Sequence, residues 1–246
     1  MRTLHAALLA LTLSLTAPFA SAQEKSVTPD QKTEIEKIVH DYLIRHPEVI
    51  REAIQALQAK EEQEKDDART QVVIANKDAL FNDPDAPVAG NPLGDVTVVE
   101  FFDYHCPYCK VVAGPLQQLL QEDKGIRLVF KEFPILGDDS VLAAHAALAA
   151  RAQGKYLEFH QALMAHKGQF DMDVLKTIAA KVGMDPAQLE ADMGKQKVEP
   201  QISANHKLAR TLDIDATPTF IIGDKVIPGA VPLEELKEAI KKARGS

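Results

Sequence analysis

A single C-x-x-C at the end of an apolar run constrains this chain more than any other feature. Val96-Thr97-Val98-Val99-Glu100-Phe101-Phe102 is rich in β-branched and aromatic residues and follows a stretch holding Pro84, Pro87, Gly90, Pro92 and Gly94, so it reads as a buried strand. Cys106-Pro107-Tyr108-Cys109 comes next, and residues 110–121 have helical character. These are the only two cysteines in the chain. The loop they would close is too short to restrict an unfolded chain much, so stabilisation is a weak reason for the pair. Reactivity is a better one. A helix N-terminus presents free N–H groups and partial positive charge, and both favour a thiolate at Cys106. Pro107 suits the first turn, and Cys109 lies one turn on, within reach of Cys106. The spacing therefore predicts a dithiol/disulfide couple in which Cys106 exchanges and Cys109 resolves the mixed disulfide.

Composition narrows the function further. The chain has 246 residues, 46% hydrophobic and 26% charged, the balance of a globular protein. With 28 Lys and Arg against 36 Asp and Glu the net charge is −8, and no basic block offers a nucleic-acid site. No Trp and 5% aromatics argue against stacking on sugars or bases. At the N-terminus, Arg2 precedes an uncharged apolar run to Phe19 and a small-x-small Ala20-Ser21-Ala22, which reads as a cleaved export signal, residues 1–22. The run is short for a membrane anchor.

Residues 23–81 are expected to form a helical arm. Ile35, Ile38, Val39, Tyr42 and Leu43 recur on one helix face, with Thr28 or Asp30 as cap. Pro47 breaks the run at His46 and opens a second helix with Val49, Ile50, Ala53, Ile54 and Leu57 on one side. Such a stripe either folds back onto the main domain or meets the same helices in another copy of the chain, and the second is favoured because a stripe on a separate arm needs a partner. Residues 82–94 read as a linker or an extended entry into a domain, and residues 126–133 as a second strand parallel to the first. Residues 82–137 thus open a domain, residues 138–214 are a helical insertion, and residues 215–246 close it with a hairpin turning at Gly223-Asp224 and a last helix.

Two other elements bear on the site. Thr217-Pro218 stands just before the strand Thr219-Phe220-Ile221-Ile222, and a cis bond there would expose the Thr217 backbone. Glu100 interrupts an apolar strand on the face of Val98 and Phe102. Either it turns to solvent, or it is a buried carboxyl that pairs with Lys131 and exchanges protons with Cys109. A metal reading stays open: two cysteines exclude a Cys₄ site, but His105 adjoins the pair and other histidines exist.

The motifs Val98 to Cys109, Val129-Phe130-Lys131-Glu132-Phe133-Pro134 and Ala216-Thr217-Pro218-Thr219-Phe220 resemble those of the DsbA-like thiol–disulfide oxidoreductases of the thioredoxin superfamily. The likeness runs from Pro92 to the C-terminus. It implies an α/β thioredoxin fold with an inserted helical domain and Pro218 in cis beside the cysteines. It also implies Cys106 as nucleophile, Cys109 as resolving thiol, Glu100 as the buried acid, and Thr217, Pro218, His105, Pro107 and Tyr108 as the surface met by substrate. The arm, through Asp41-Tyr42-Leu43-Ile44-Arg45-His46-Pro47-Glu48, resembles the suppressor of copper sensitivity protein C branch, which implies a homotrimer or homodimer and isomerase activity. Thr217 before the proline also resembles the disulfide isomerases. The reading is a periplasmic enzyme acting on cysteine-containing exported proteins and restored by a membrane redox partner. No cofactor beyond the Cys106–Cys109 couple and no metal are expected. Copper binding through Cys106, Cys109 and His105, and a chaperone-like arm, are the alternatives.

Overall fold

The computed structural model describes residues 27–194 and 198–245. The expected signal, residues 1–22, lies outside them. Among the described residues no helix is long and apolar enough to cross a membrane.

The chain divides into two compact units, the first ending at Gln58 and the second beginning at Ala59. The first holds helix α1 (Pro29–Arg45) and the opening turns of α2 (Glu48–Ala75). Thr28 caps α1 in a full capping box: its hydroxyl accepts from Gln31 N at 3.3 Å, and the Gln31 side chain accepts from Thr28 N at 3.0 Å. The helix stops at His46, before Pro47. No residue of α1 is buried; Ile35, Ile38, Val39 and Tyr42 are about half exposed or more, as are Ile50, Ile54 and Leu57 of α2.

The second unit is built on a five-stranded sheet of β1 (Val88–Gly90), β2 (Val96–Phe102), β3 (Ile126–Glu132), β4 (Thr219–Ile222) and β5 (Lys225–Pro228), in spatial order β1-β3-β2-β4-β5. β2 and β3 are parallel, joined by α4 (Pro107–Glu122); the other pairings are antiparallel. Between β3 and β4 come five helices: α5 (Asp138–Ala149), α6 (Tyr156–Ala165), α7 (Met172–Lys181), α8 (Pro186–Met193) and α9 (Val198–Thr211). The last helix, α10 (Leu233–Ala243), follows the β4–β5 hairpin.

Period-two alternation along β2 and β3 feeds two cores. Val98, Phe102, Leu128 and Phe130 face Leu116 and Leu119 of α4, Leu236 and Ile240 of α10, and the inserted helices. Val99, Phe101 and Val129 face the other way, against Val73, Leu80, Leu208 and Leu212. Each buried Phe contributes about 1.5–3 kcal/mol by the area it removes from water. Val73 lies near the end of α2 and Leu80 in the short α3 (Lys77–Phe81), and both are fully buried. Residues 59–81, expected within the arm, thus belong to the second unit, because their apolar side chains cover one face of its sheet. Of the two readings of residues 82–94, the extended entry is the one the strand fits: Val88 to Gly90 pairs with Val129 to Arg127 at the sheet edge.

Candidate functional site

β2 ends at Phe102 and α4 begins at Pro107, so the loop between them delivers Cys106 to the helix as its N-cap. The Cys106 sulfur accepts a hydrogen bond from Cys109 N at 3.4 Å, and its thiol donates to the Thr217 carbonyl at 3.1 Å. Its own N–H donates to the Asp103 carbonyl at 3.1 Å. Both cysteines are free thiols and both are buried.

The two sulfurs differ sharply. Hydrogen bonding from the Cys109 thiol, helped by the Thr217 side chain and by the Cys109 and Tyr108 backbone, pulls Cys106 down to about 6 against the opposing effect of burial. Burial drives Cys109 far up, and its bond to Cys106 and the nearby Glu100 charge push the same way. The Cys106 sulfur therefore gives up its proton far more readily than that of Cys109.

Glu100 is 2% exposed, so it does not turn to solvent. It shares the face of Val98 and Phe102 and lines a cavity of about 560 Å³ with His160, Phe130 and Met164. Burial, and then the Cys106 charge, raise its carboxyl to about 8. The expected pairing with Lys131 does not form. In the parallel register Glu100 stands beside Phe130 and Lys131 beside Phe101, so the two side chains leave opposite faces of the sheet. Lys131 is buried and its Nζ meets Asp83 Oδ2 at 2.5 Å instead.

The Thr217-Pro218 bond is cis. β4 begins with Thr219 opposite Phe101, which sets Thr217 and Pro218 beside the end of β2. Pro107 is the first residue of α4, and Tyr108 is 64% exposed next to the buried sulfurs. His105 Nε2 lies 2.5 Å from Asp139 Oδ2, an approach not aligned as a hydrogen bond, and its ring meets Phe170 edge-on. The structure therefore gathers Cys106, Cys109, Thr217, Pro218, Pro107, Tyr108 and His105 around one helix N-terminus, with Glu100 beneath. Among the described residues no group of three or more His, Cys, Asp or Glu is placed to hold a metal ion.

Sequence reasoning missed two buried polar centres. Asp103 is 1% exposed and accepts four hydrogen bonds on its carboxylate. Glu132 is also buried; its Oε1 accepts from Tyr156 at 2.8 Å and Tyr104 at 3.1 Å. Tyr104 also meets His160 Nδ1 at 3.0 Å. Burial raises Glu132 well above the usual carboxylate range and lowers His160 to about 3. Alternation was the available signal for Glu132, which falls on the face of Leu128 and Phe130.

Residues 97–241 match the model of the DSBA-like thioredoxin domain, and residues 31–64 match that of the copper resistance protein ScsC N-terminal domain. A thioredoxin-like oxidoreductase from Silicibacter pomeroyi shares 48% identity and a TM-score of 0.68, covering 70% of this chain and 99% of that one. A linker-deletion mutant of Proteus mirabilis ScsC shares 27% identity and a TM-score of 0.67 over 90% of this chain and 99% of that one. Among curated relatives, disulfide bond formation protein D of Bacillus subtilis is 30% identical over 63% of this chain and 76% of its own length. The Na⁺/H⁺ antiporter NhaA 1 of Salinispora arenicola is 30% identical over 65% of this chain and 25% of its own length. The chain thus spans about a quarter of the length of that antiporter.

Proposed function

The chain belongs to the DSBA-like thioredoxin domain family, and from that premise we propose that it is a periplasmic thiol–disulfide oxidoreductase that shuffles or introduces disulfides in exported, cysteine-containing proteins. The observation that carries this reading is the asymmetry of the two sulfurs, one lowered to about 6 and the other pushed far up.

Each step follows from that asymmetry. The Cys106 thiolate attacks a client disulfide; one client S–S bond breaks, a Cys106–client bond forms, and the released client sulfur takes up a proton. A different client thiolate then attacks the client sulfur of that mixed disulfide, so that a new client S–S bond forms, the Cys106–client bond breaks and the Cys106 thiolate leaves, which is isomerisation. Alternatively Cys109 gives up its proton and attacks Cys106, releasing reduced client and leaving the Cys106–Cys109 disulfide. Run backwards, that second route oxidises a client dithiol, and a membrane redox partner resets the pair. Glu100, raised to about 8, is poised to exchange the Cys109 proton near neutral pH. Thr217, whose carbonyl accepts from Cys106, and Pro218, with Pro107, Tyr108 and His105, form the surface that receives the client. The couple itself carries the electrons, so no organic cofactor enters.

The exposed stripe of α1 and α2 supports a homo-oligomer, dimer or trimer, joined through the arm. Several sites facing a common space suit isomerisation. Refolding of scrambled ribonuclease tests both ideas at once, with the wild type compared against a variant carrying Ile38→Glu and Ile50→Glu. The expected result is isomerase activity in the wild type that falls with the oligomer's mass in the variant. Stoichiometric copper with no thiol exchange would overturn the reading.

A further inference from the structure

Asp103 is the most heavily engaged buried carboxylate near the cysteines, and the exchange chemistry does not use it. It follows β2 directly and sits three residues before Cys106. Its Oδ1 accepts from His105 N at 2.6 Å and Ser140 Oγ at 2.7 Å; its Oδ2 accepts from Ile135 N at 2.8 Å and Leu136 N at 3.0 Å. Three of these partners come from the segment between β3 and the first turn of α5. That segment forms one wall of the groove beside Cys106, lined by His105, Pro107, Lys110, Leu136 and Asp139. Leu136 presents an exposed apolar side chain there, and the N–H groups of Leu136 and its neighbour Ile135 are both tied down by Asp103.

We infer that Asp103 is a positioning residue for client docking: its carboxylate clamps the 135–140 segment to the loop that carries Cys106, fixing the groove wall against the reacting sulfur. The inference rests on the thiol-exchange reading and adds to it how the client is aligned. Only a carboxylate fills the role. All four bonds are donated to it, three by backbone N–H groups that cannot reverse direction. An Asn at this position would turn an NH₂ toward at least one of those N–H groups, whichever way its amide is placed. The wall then loosens, while the hydrogen bond from Cys106 N to the Asp103 carbonyl uses main chain and survives the substitution.

The test separates docking from chemistry by using two substrates on the full chain. Asp103→Asn and Ser140→Ala are compared with the wild type on scrambled ribonuclease and on oxidised glutathione, a probe too small to need the wall. Asp103→Asn should raise KM for ribonuclease by about fivefold or more, beyond any loss it shows with glutathione. Ser140→Ala, which removes one donor and leaves the backbone bonds, should shift KM the same way by about twofold. Unchanged KM in both variants, or equal losses on both substrates, would overturn the inference while leaving the exchange reading intact. A wild type that exchanges with neither substrate would overturn both.

Discussion

Two amphipathic helices of this chain end up in opposite circumstances. α10 buries Leu236 and Ile240 against the sheet and α4. α1 carries Ile35, Ile38, Val39 and Tyr42 at the same kind of spacing and buries none of them. Periodicity shows which face of a helix is apolar; it does not show whether the covering surface lies in the same chain. The sheet unit is complete in itself, with a core on each face. The arm holds its helical form through local devices, a capping box and one i,i+4 ion pair between Lys32 and Glu36, and leaves its apolar side uncovered. That exposed side is the surface the proposed oligomer would bury.

The largest test of this contrast is a matched truncation. Phe101 is fully buried and meets Phe133 edge-on, so Phe101→Ala should cost about 3–5 kcal/mol in urea unfolding. Ile38→Ala, at a residue 60% exposed, should change the stability of the dilute monomer by less than about 0.5 kcal/mol. A comparable loss at Ile38 in a protein shown to be monomeric would mean that the arm is covered within its own chain.

A smaller effect sharpens the account of the sheet unit. Glu100 is raised from an ordinary 4.5 to about 8 on folding, so the folded state holds its proton more tightly than the unfolded chain does. The stabilisation this brings is fully present below 4.5 and is lost as pH rises through 8. Glu100→Gln removes that loss. The variant should match the wild type near pH 4.5 and exceed it at pH 8 by on the order of a few kcal/mol, as read by urea unfolding of the reduced proteins. Cys106, lowered from 9 to about 6, gives the opposite slope between those values in both proteins. A difference that does not change with pH would mean that Glu100 is ionised in the fold. The smallest effect belongs to the arm: Thr28→Ala should destabilise the start of α1 by about 1 kcal/mol. It should speed amide exchange at Gln31 and leave the sheet amides unchanged.

Much of the fold could be read in advance where the cause is local. β2 was expected at its observed bounds, because a β-branched run between turn residues has one comfortable conformation. The placement of Cys106 and Cys109 at the start of α4 was legible because strand, proline and helix are adjacent in sequence. β1 was not, since three residues inside a Pro- and Gly-rich stretch carry no periodicity of their own and pair only because β3 offers an edge. The Glu100–Lys131 pairing failed on register: both are strand residues near the site, yet a one-residue offset sends them to opposite faces. Asp103 escaped notice because three of its partners lie 32 to 37 residues away and two of those are backbone N–H groups, which look alike in every sequence.

The asymmetry of the two sulfurs is the centre of the account, and the pH titration of the fully reduced protein by ultraviolet thiolate absorbance tests it most directly. One thiolate should appear near pH 6, lost in Cys106→Ser, with the second sulfur staying protonated through the whole range in which the protein remains folded. Two thiols titrating together near 9 would contradict it.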